Sequence, residues 1–248
     1  MISLLQKVIN ILNQILGKGY GSFSITKEVK MATKLSGASI DYFLDVGANK
    51  GLYTEEIIKK YPEARCILFE PSETNIKILI KKFKSNRNVR IENYALSNFE
   101  GTSVLYSPDT LGSGMASLTE RKLDHFGINQ QIKTEVKIKM LDDVINEIVP
   151  LTSRIGLIKI DVEGHELNVL KGGLNTIKRA SIIQFEFGGC NLDTKISFQE
   201  IFYFFKEINF KIYRISPLGL IPIKSYKEED EYYQTTNFVA VKIPNAYF

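Results

Sequence analysis

Three short runs in this chain bring together residues able to do chemistry, and each follows an apolar stretch. The densest is Lys159-Ile-Asp161-Val-Glu163-Gly-His165-Glu166, which sets three carboxylates and one imidazole within eight residues. Such a cluster can orient an acceptor hydroxyl, take its proton, hold an amino group or bind a cation. Carboxylates this close raise at least one pKa, as a general base requires. The plainer reading gives Glu163 and Glu166 to the positive end of the next helix. The second run is Asp45-Val-Gly47-Ala-Asn49-Lys-Gly51, whose glycines let the backbone turn sharply and approach a ligand. The third ends at Glu70, nineteen residues after Gly51. An acid at that offset can accept hydrogen bonds from both hydroxyls of a ribose. Otherwise it caps the following helix together with Ser72.

The glycine spacing is G-x-x-x-G, not the G-x-G-x-x-G that seats a dinucleotide pyrophosphate, and it lacks the Lys-Ser/Thr of a P-loop. A tight turn without a phosphate cradle suits a nucleoside-bearing ligand such as S-adenosylmethionine. Glu70 supports a ribose without naming the cofactor, since NAD enzymes share that feature.

The elements that must position these runs alternate. Ile40–Asp45, Arg65–Glu70 and Val89–Tyr94 read as strands, with helices from Leu52 to Tyr61 and after Ser72 between them. This is the βαβαβ rhythm of a doubly wound parallel sheet, in which ligands bind beyond the carboxyl ends of the strands. Gly101–Tyr106 and Glu135–Lys139 alternate like strands, and Ser107–Lys133 between them reads as a long loop or lid. The rhythm resumes with a helix over Leu141–Ile148 and a strand over Gly156–Asp161. A helix over Glu166–Ile177, interrupted at Gly172-Gly173, leads to a strand over Ser181–Phe187. Ser197-Phe-Gln-Glu200 is a capping box opening an aromatic-rich helix, and Phe210–Ile215 and Phe238–Ile243 close the domain as strands. The acidic Glu228–Glu231 run reads as a solvated connection.

Composition narrows the function classes. The 248 residues carry 32 Lys+Arg against 28 Asp+Glu, and 44% are hydrophobic, as in an ordinary globular protein. The basic residues form short clusters, not a stripe interleaved with aromatics, and no Asn/Asp-Pro-Pro-Tyr/Phe motif for a flipped base is present, so nucleic acid is not the expected partner. Two cysteines, Cys66 and Cys190, lie too far apart in sequence for zinc spacing and read as reduced thiols. With His125 and His165 the only histidines, a multi-histidine metal site is ruled out, and no metal is expected.

Residues 2–16 place Leu4, Leu5, Val8, Ile11, Leu12, Ile15 and Leu16 at helical spacing, with Gln6, Lys7, Asn10, Asn13 and Gln14 opposite. The segment is interrupted and starts without a basic cluster, unlike a secretory signal, and no run is long enough to span a bilayer. A single Lys is thin for a helix lying on a membrane. The expectation is a helical extension over residues 1–38 that packs on its own domain or on a twin subunit, with membrane or partner docking as the alternative, a domain over 39–248, and a cytoplasmic location.

These motifs together resemble the FkbM-type S-adenosylmethionine-dependent methyltransferases. The matching pieces are Phe43–Thr54, Phe69-Glu-Pro71, Asn93–Ser97, Ser113–Leu118, Met140–Asp143, Ile158–Glu166, Val169–Gly172 and Phe185–Phe187, in the family's order over roughly residues 40–190. The resemblance implies the class I methyltransferase fold: a Rossmann-like, doubly wound, mostly parallel sheet of seven strands, the last antiparallel. It implies that Asp45, Gly47, Asn49 and Gly51 surround the methionine and ribose of S-adenosylmethionine. Glu70 would hold the ribose diol, and Asn93 and Ala95 to Ser97 would flank the adenine. Asp161, Glu163 and His165 would face the sulfonium and the acceptor, with Asp161 or His165 as candidate base. The implied acceptor is a hydroxyl of a sugar, glycan or secondary metabolite. Two other readings stay open on the residues: an NAD(P)-linked oxidoreductase, against which the glycine spacing stands, and a non-catalytic partner subunit that keeps the fold.

Overall fold

The computed structural model of the chain describes residues 2–19, 24–35, 39–108 and 114–243. Ser113 of the resemblance motif, and residues 109–113 of the expected lid, lie outside them.

The first helix, α1 (Ile2–Ile15), is followed by α2 (Ile25–Ala32). The first sheet strands then alternate with helices: β1 (Tyr42–Val46), α3 (Leu52–Lys60), β2 (Arg65–Phe69), α4 (Glu73–Phe83) and β3 (Val89–Glu92). Every residue of β1 is buried, as expected for a parallel strand covered on both faces. Three strands, β4 (Ala95–Ser97), β5 (Gly101–Ser107) and β6 (Ile132–Met140), form a separate small sheet in the order β4-β6-β5. The chain returns through α5 (Leu141–Ile148), β7 (Ile155–Ile160), α6 (Glu166–Gly172), α7 (Leu174–Arg179) and β8 (Ala180–Phe187). The remaining elements are α8 (Cys190–Thr194), α9 (Phe198–Glu207), β9 (Phe210–Ser216), β10 (Gly219–Ile223) and β11 (Thr236–Lys242).

The main sheet runs β10-β9-β11-β8-β7-β1-β2-β3, with β11 antiparallel to both of its neighbours. The fold is thus the α/β, Rossmann-like class I methyltransferase architecture. Among the described residues the main sheet has eight strands, not seven. The extra one, β10, is a hairpin return at the edge with Pro222 inside it, a position where a missing N–H costs no ladder bond. Helices cover both faces. One core packs Phe185 against Phe205 and Phe238 at ring distances of 5.2 and 5.3 Å, beneath α5, α6, α7 and α9. The other gathers Phe43, Tyr53, Leu68 and Leu79 beneath α2, α3 and α4. Residues Val29 and Ala32 of α2 are part of that second core, although the sequence reading placed them in the extension.

Two local expectations change. Helix α1 contributes no buried residue and does not lay its apolar face on its own domain. The acidic run Glu228–Glu231 is solvated only over Glu228 and Glu229. Asp230 is buried and pairs with Arg214 at 2.8 Å, while Glu231 accepts the backbone N–H groups of Phe198 and Gln199 at 2.9 Å each, at the start of α9. Both cysteines are free and buried.

The chain leaves β1 toward β2 and β3, then crosses back to β7 on the other side of β1. That reversal opens a crevice at the strand ends. Val46 lies opposite both Phe69 and Ile160, so β1, β2 and β7 end level and deliver Gly47, Glu70 and Asp161 to one rim.

Candidate active site

At Gly47 the turn after β1 lies tight against the backbone that follows β7. Gly47 has φ +79°, and an added Cβ would lie 1.9 Å from the Asp161 carbonyl oxygen. Gly51 has φ +71°, and its Cβ would strike Phe83 and Leu79 of α4. Both glycines are therefore required by packing between elements, and Gly51 turns its missing side chain away from the crevice.

Beneath this turn lies a buried charge network that the sequence reading did not single out. Lys159 reaches Asp45 at 3.5 Å and Asp161 at 3.2 Å, and it donates to the Gly47 carbonyl at 3.1 Å. Burial works against its charge, but Asp161 and Asp45 outweigh that and hold the ammonium above its ordinary value. Asp45 is fully buried and also accepts from Thr54 Oγ1 at 2.5 Å. The signal was present in the sequence, since a lysine within a buried strand must be paired.

A cavity of about 650 Å³ opens above these strand ends. Gly47, Asn49, Glu70, Ala95 and Asp161 line it, together with Tyr94, Leu96 and Leu105 from the β3–β5 side and Asn75 from α4. Asp45, Gly51, Asn93 and Ser97 do not line it. Asn93 donates to the carbonyls of Glu70 and Pro71 at 3.1 and 3.2 Å, which ties β3 to the end of β2. Ser97 is buried, with its hydroxyl on Asn98. Glu70 receives the Asn49 N–H at 2.7 Å on one oxygen and the Ser72 N–H at 2.9 Å on the other. Burial raises its pKa, and these two N–H donors oppose the rise. The Asn75 side chain donates to Glu70 as well, which leaves the carboxylate one acceptor site for a hydroxyl.

The residues fit a nucleoside-bearing donor by a further observation. Asn49 Oδ1 and Asn75 Oδ1 are buried acceptors with no partner among the described residues, and both residues line the cavity. Unmet acceptors beside a paired carboxylate suit ribose hydroxyls and an exocyclic amine, and the apolar side suits a purine. Asn75 was not among the residues the sequence suggested.

The turn after β7 is folded by Glu166. Its Oε1 accepts the N–H groups of Val162 and Gly164 at 3.1 and 3.2 Å, whereas Oε2 is buried without a partner. Burial pushes its pKa up to about 7. This turn holds Glu163 at φ +54°. Glu163 pairs with Arg121 of the lid loop, yet burial, with Asp161 nearby, pushes its pKa up to about 8. Ser117 of the same loop donates to the Glu163 carbonyl at 2.9 Å. His165 does not line the cavities at the strand ends. Its ring nitrogens bond Thr119 Oγ1 at 2.9 Å and Asn168 Nδ2 at 3.2 Å, and burial lowers its pKa.

A second cavity of about 1050 Å³ adjoins the first, and Gly114, Asp161 and Glu163 line both. Its other walls include Arg121, Glu186, Cys190, Tyr233 and Gln234. Burial, with Asp161 and Glu163 adding to it, holds the Glu186 carboxyl well above the usual carboxylate range. Among the described residues no group of three or more His, Cys, Asp or Glu is arranged to hold a metal ion.

The sequence profile of the FkbM methyltransferase domain matches residues 45–212. Methyltransferase sdnD of Sordaria araneosa is 32% identical over 154 residues, which span 53% of this chain and 60% of that protein. Methyltransferase 1 of Beauveria bassiana is 26% identical over 145 residues, 53% of this chain and 57% of that protein. The chain thus covers somewhat under two thirds of the length of these relatives. Among solved structures, Aeropyrum pernix fibrillarin with bound S-adenosyl-L-methionine aligns at a TM-score of 0.47 with 10% identity, covering 90% of this chain and 76% of that one. Precorrin-6y C5,15-methyltransferase of Geobacter metallireducens aligns at 0.47 with 11% identity over 88% and 87%. On the profile match, the chain belongs to the FkbM methyltransferase family.

Proposed function

We propose that this protein transfers the methyl group of S-adenosylmethionine to a hydroxyl of a sugar, glycan or secondary metabolite. The observation that carries the reading is the pair of adjoining cavities with Asp161 and Glu163 at their junction. One compartment has the donors and acceptors a nucleoside needs. The other is walled by carboxyl, guanidinium, amide and phenol groups, which match a molecule rich in hydroxyls.

When bound, S-adenosylmethionine supplies an activated methyl on a sulfonium, so alignment of the acceptor oxygen contributes much of the rate. Asp161, fixed from behind by Lys159, orients the acceptor hydroxyl. Glu163 takes its proton, because a carboxyl with a pKa near 8 is a better matched base than an ordinary one. His165 anchors Thr119 and so positions the lid loop. Below about pH 8 Glu163 holds its own proton and cannot accept another. Activity therefore rises with pH through that value, and Glu163→Gln removes the rising limb.

Calorimetric titration with S-adenosylhomocysteine, with NADH and NADPH as controls, tests the donor compartment. Micromolar binding of the first alone is expected, and binding of a dinucleotide would overturn the reading. An acceptor screen starting with deoxysugar nucleotides and glycans then tests the second compartment.

A further inference from the structure

We infer that helix α1 is a docking element for an anionic lipid surface. At about 100° per residue, Leu4, Leu5, Val8, Ile11, Leu12 and Ile15 fall, with their apolar neighbours, in one arc of about 180°. All six are exposed, from 38% at Ile15 to 68% at Leu4. The remaining arc carries Ser3, Gln6, Lys7, Asn10, Asn13 and Gln14, with no acid among them.

Among the described residues, the helix meets the domain only at its C-terminal end. Asn13 Nδ2 comes within 3.5 Å of the Tyr232 hydroxyl, and Gly17 packs on the Ile215 carbonyl. Lys18 donates to the Glu229 carbonyl at 2.9 Å, and Gly19 N–H donates to Thr236 at 3.0 Å. An apolar half left open to solvent, with only Asn13 of the polar arc meeting the domain, is not the face of a helix packed on its own core. It is also wider than the narrow seam of a two-helix pair, and the width matches a helix lying in a membrane interface.

Charge selects the kind of surface. Residues 2–35 hold five lysines against one acid, Glu28. That carboxylate is partly buried, 3.4 Å from Gln184 Nε2, at a depression it shares with Lys27 and Lys30, so the segment keeps an excess of positive charge. Lys27 and Lys30 line a depression with Ile215, Ser216 and Pro217, the segment on which Gly17 sits, and Leu218 beside it is 80% exposed. The lysines that α1 lacks are thus supplied by α2 where the helix joins the body, so the single Lys7 is not the whole charge available. The inference does not depend on the identity of the methyl acceptor.

The chain contains no tryptophan, so Leu12→Trp gives a single fluorescent reporter in the middle of the apolar arc. Its emission should shift to the blue with phosphatidylcholine vesicles containing phosphatidylglycerol, and much less with phosphatidylcholine alone. Val8→Glu should weaken vesicle binding about tenfold or more, and Lys27→Glu with Lys30→Glu about tenfold on the anionic vesicles. Both variants should bind S-adenosylhomocysteine as the parent does, which separates lost docking from lost folding. Emission unmoved by either vesicle would overturn the inference, as would equal binding to neutral vesicles. A blue-shifted emission without lipid, in a particle of twice the chain mass that Val8→Glu splits, would overturn it in favour of a second copy.

Discussion

The two walls of the site are built differently. The donor wall is mostly strand ends in fixed register, with Val46 level with Phe69 and Ile160 and a glycine turn closed against the Asp161 backbone. The lid residues Gly114, Ala116, Ser117 and Leu118 cover one side of it. The acceptor wall is largely loop: residues 114–126 on one side and Tyr233 to Thr235 on the other. Side chains hold it in place, through Ser117, Thr119 and Arg121 reaching to the turn after β7. A wall set by backbone register has little freedom to change. One tied by side chains can change its surface while keeping its ties.

The sharpest break of this contrast lies under the donor wall. Lys159→Met leaves the fully buried Asp45 without its counter-charge, and the expected loss is about 3–5 kcal/mol of unfolding free energy by chemical melt. Adding Asp45→Asn should restore much of it. If Lys159→Met melts like the parent, the network does not hold this wall.

Glu70→Ala removes the carboxylate that receives both Asn49 and Ser72. S-adenosylhomocysteine affinity should fall about 100-fold in calorimetry, in line with one charge-assisted hydrogen bond, while the domain stays folded. Unchanged affinity would remove Glu70 from the donor site.

Arg121→Ala acts on the other wall only. It frees Glu163 and loosens the loop, so the acceptor KM should rise about tenfold while donor affinity moves less than about threefold. Equal effects on both would show that the walls are not separable.

The smallest expected effect is a pH slope. Glu166 is charged with difficulty in the fold, since burial raises its pKa from 4.5 to about 7. A raised folded pKa contributes stability that is complete below pH 4.5 and is lost as pH rises to about 7. The parent should melt several degrees lower at pH 7.5 than its other groups dictate. Glu166→Gln, which keeps an oxygen for Val162 and Gly164, should flatten that part of the profile.

The same contrast explains what could be read from sequence. Strands such as β1 and β7 are buried on both faces, and continuous apolar runs announce them. The ligand turns were legible because glycine and carboxylate spacing is local. Partners distant in sequence were not. Arg214 and Asp230 are sixteen residues apart and meet only because β9 and the following loop fold together, so the acidic run looked solvated. Edge strand β10 and the three-residue β4 are too short to show a period. Arg121 and Glu186 reach the acceptor cavity through a loop and a sheet register, neither of which leaves a pattern in nearby residues.

For anyone wishing to redirect the enzyme, the three ties of the lid loop define an exchangeable cartridge. A foreign loop that keeps Ser117, Thr119 and Arg121 at their places would seat on the same turn, against Glu163 and His165. The rest of the loop's face on the second cavity is free to be rewritten, provided that Gly114, Ala116 and Leu118, which also line the donor compartment, are kept.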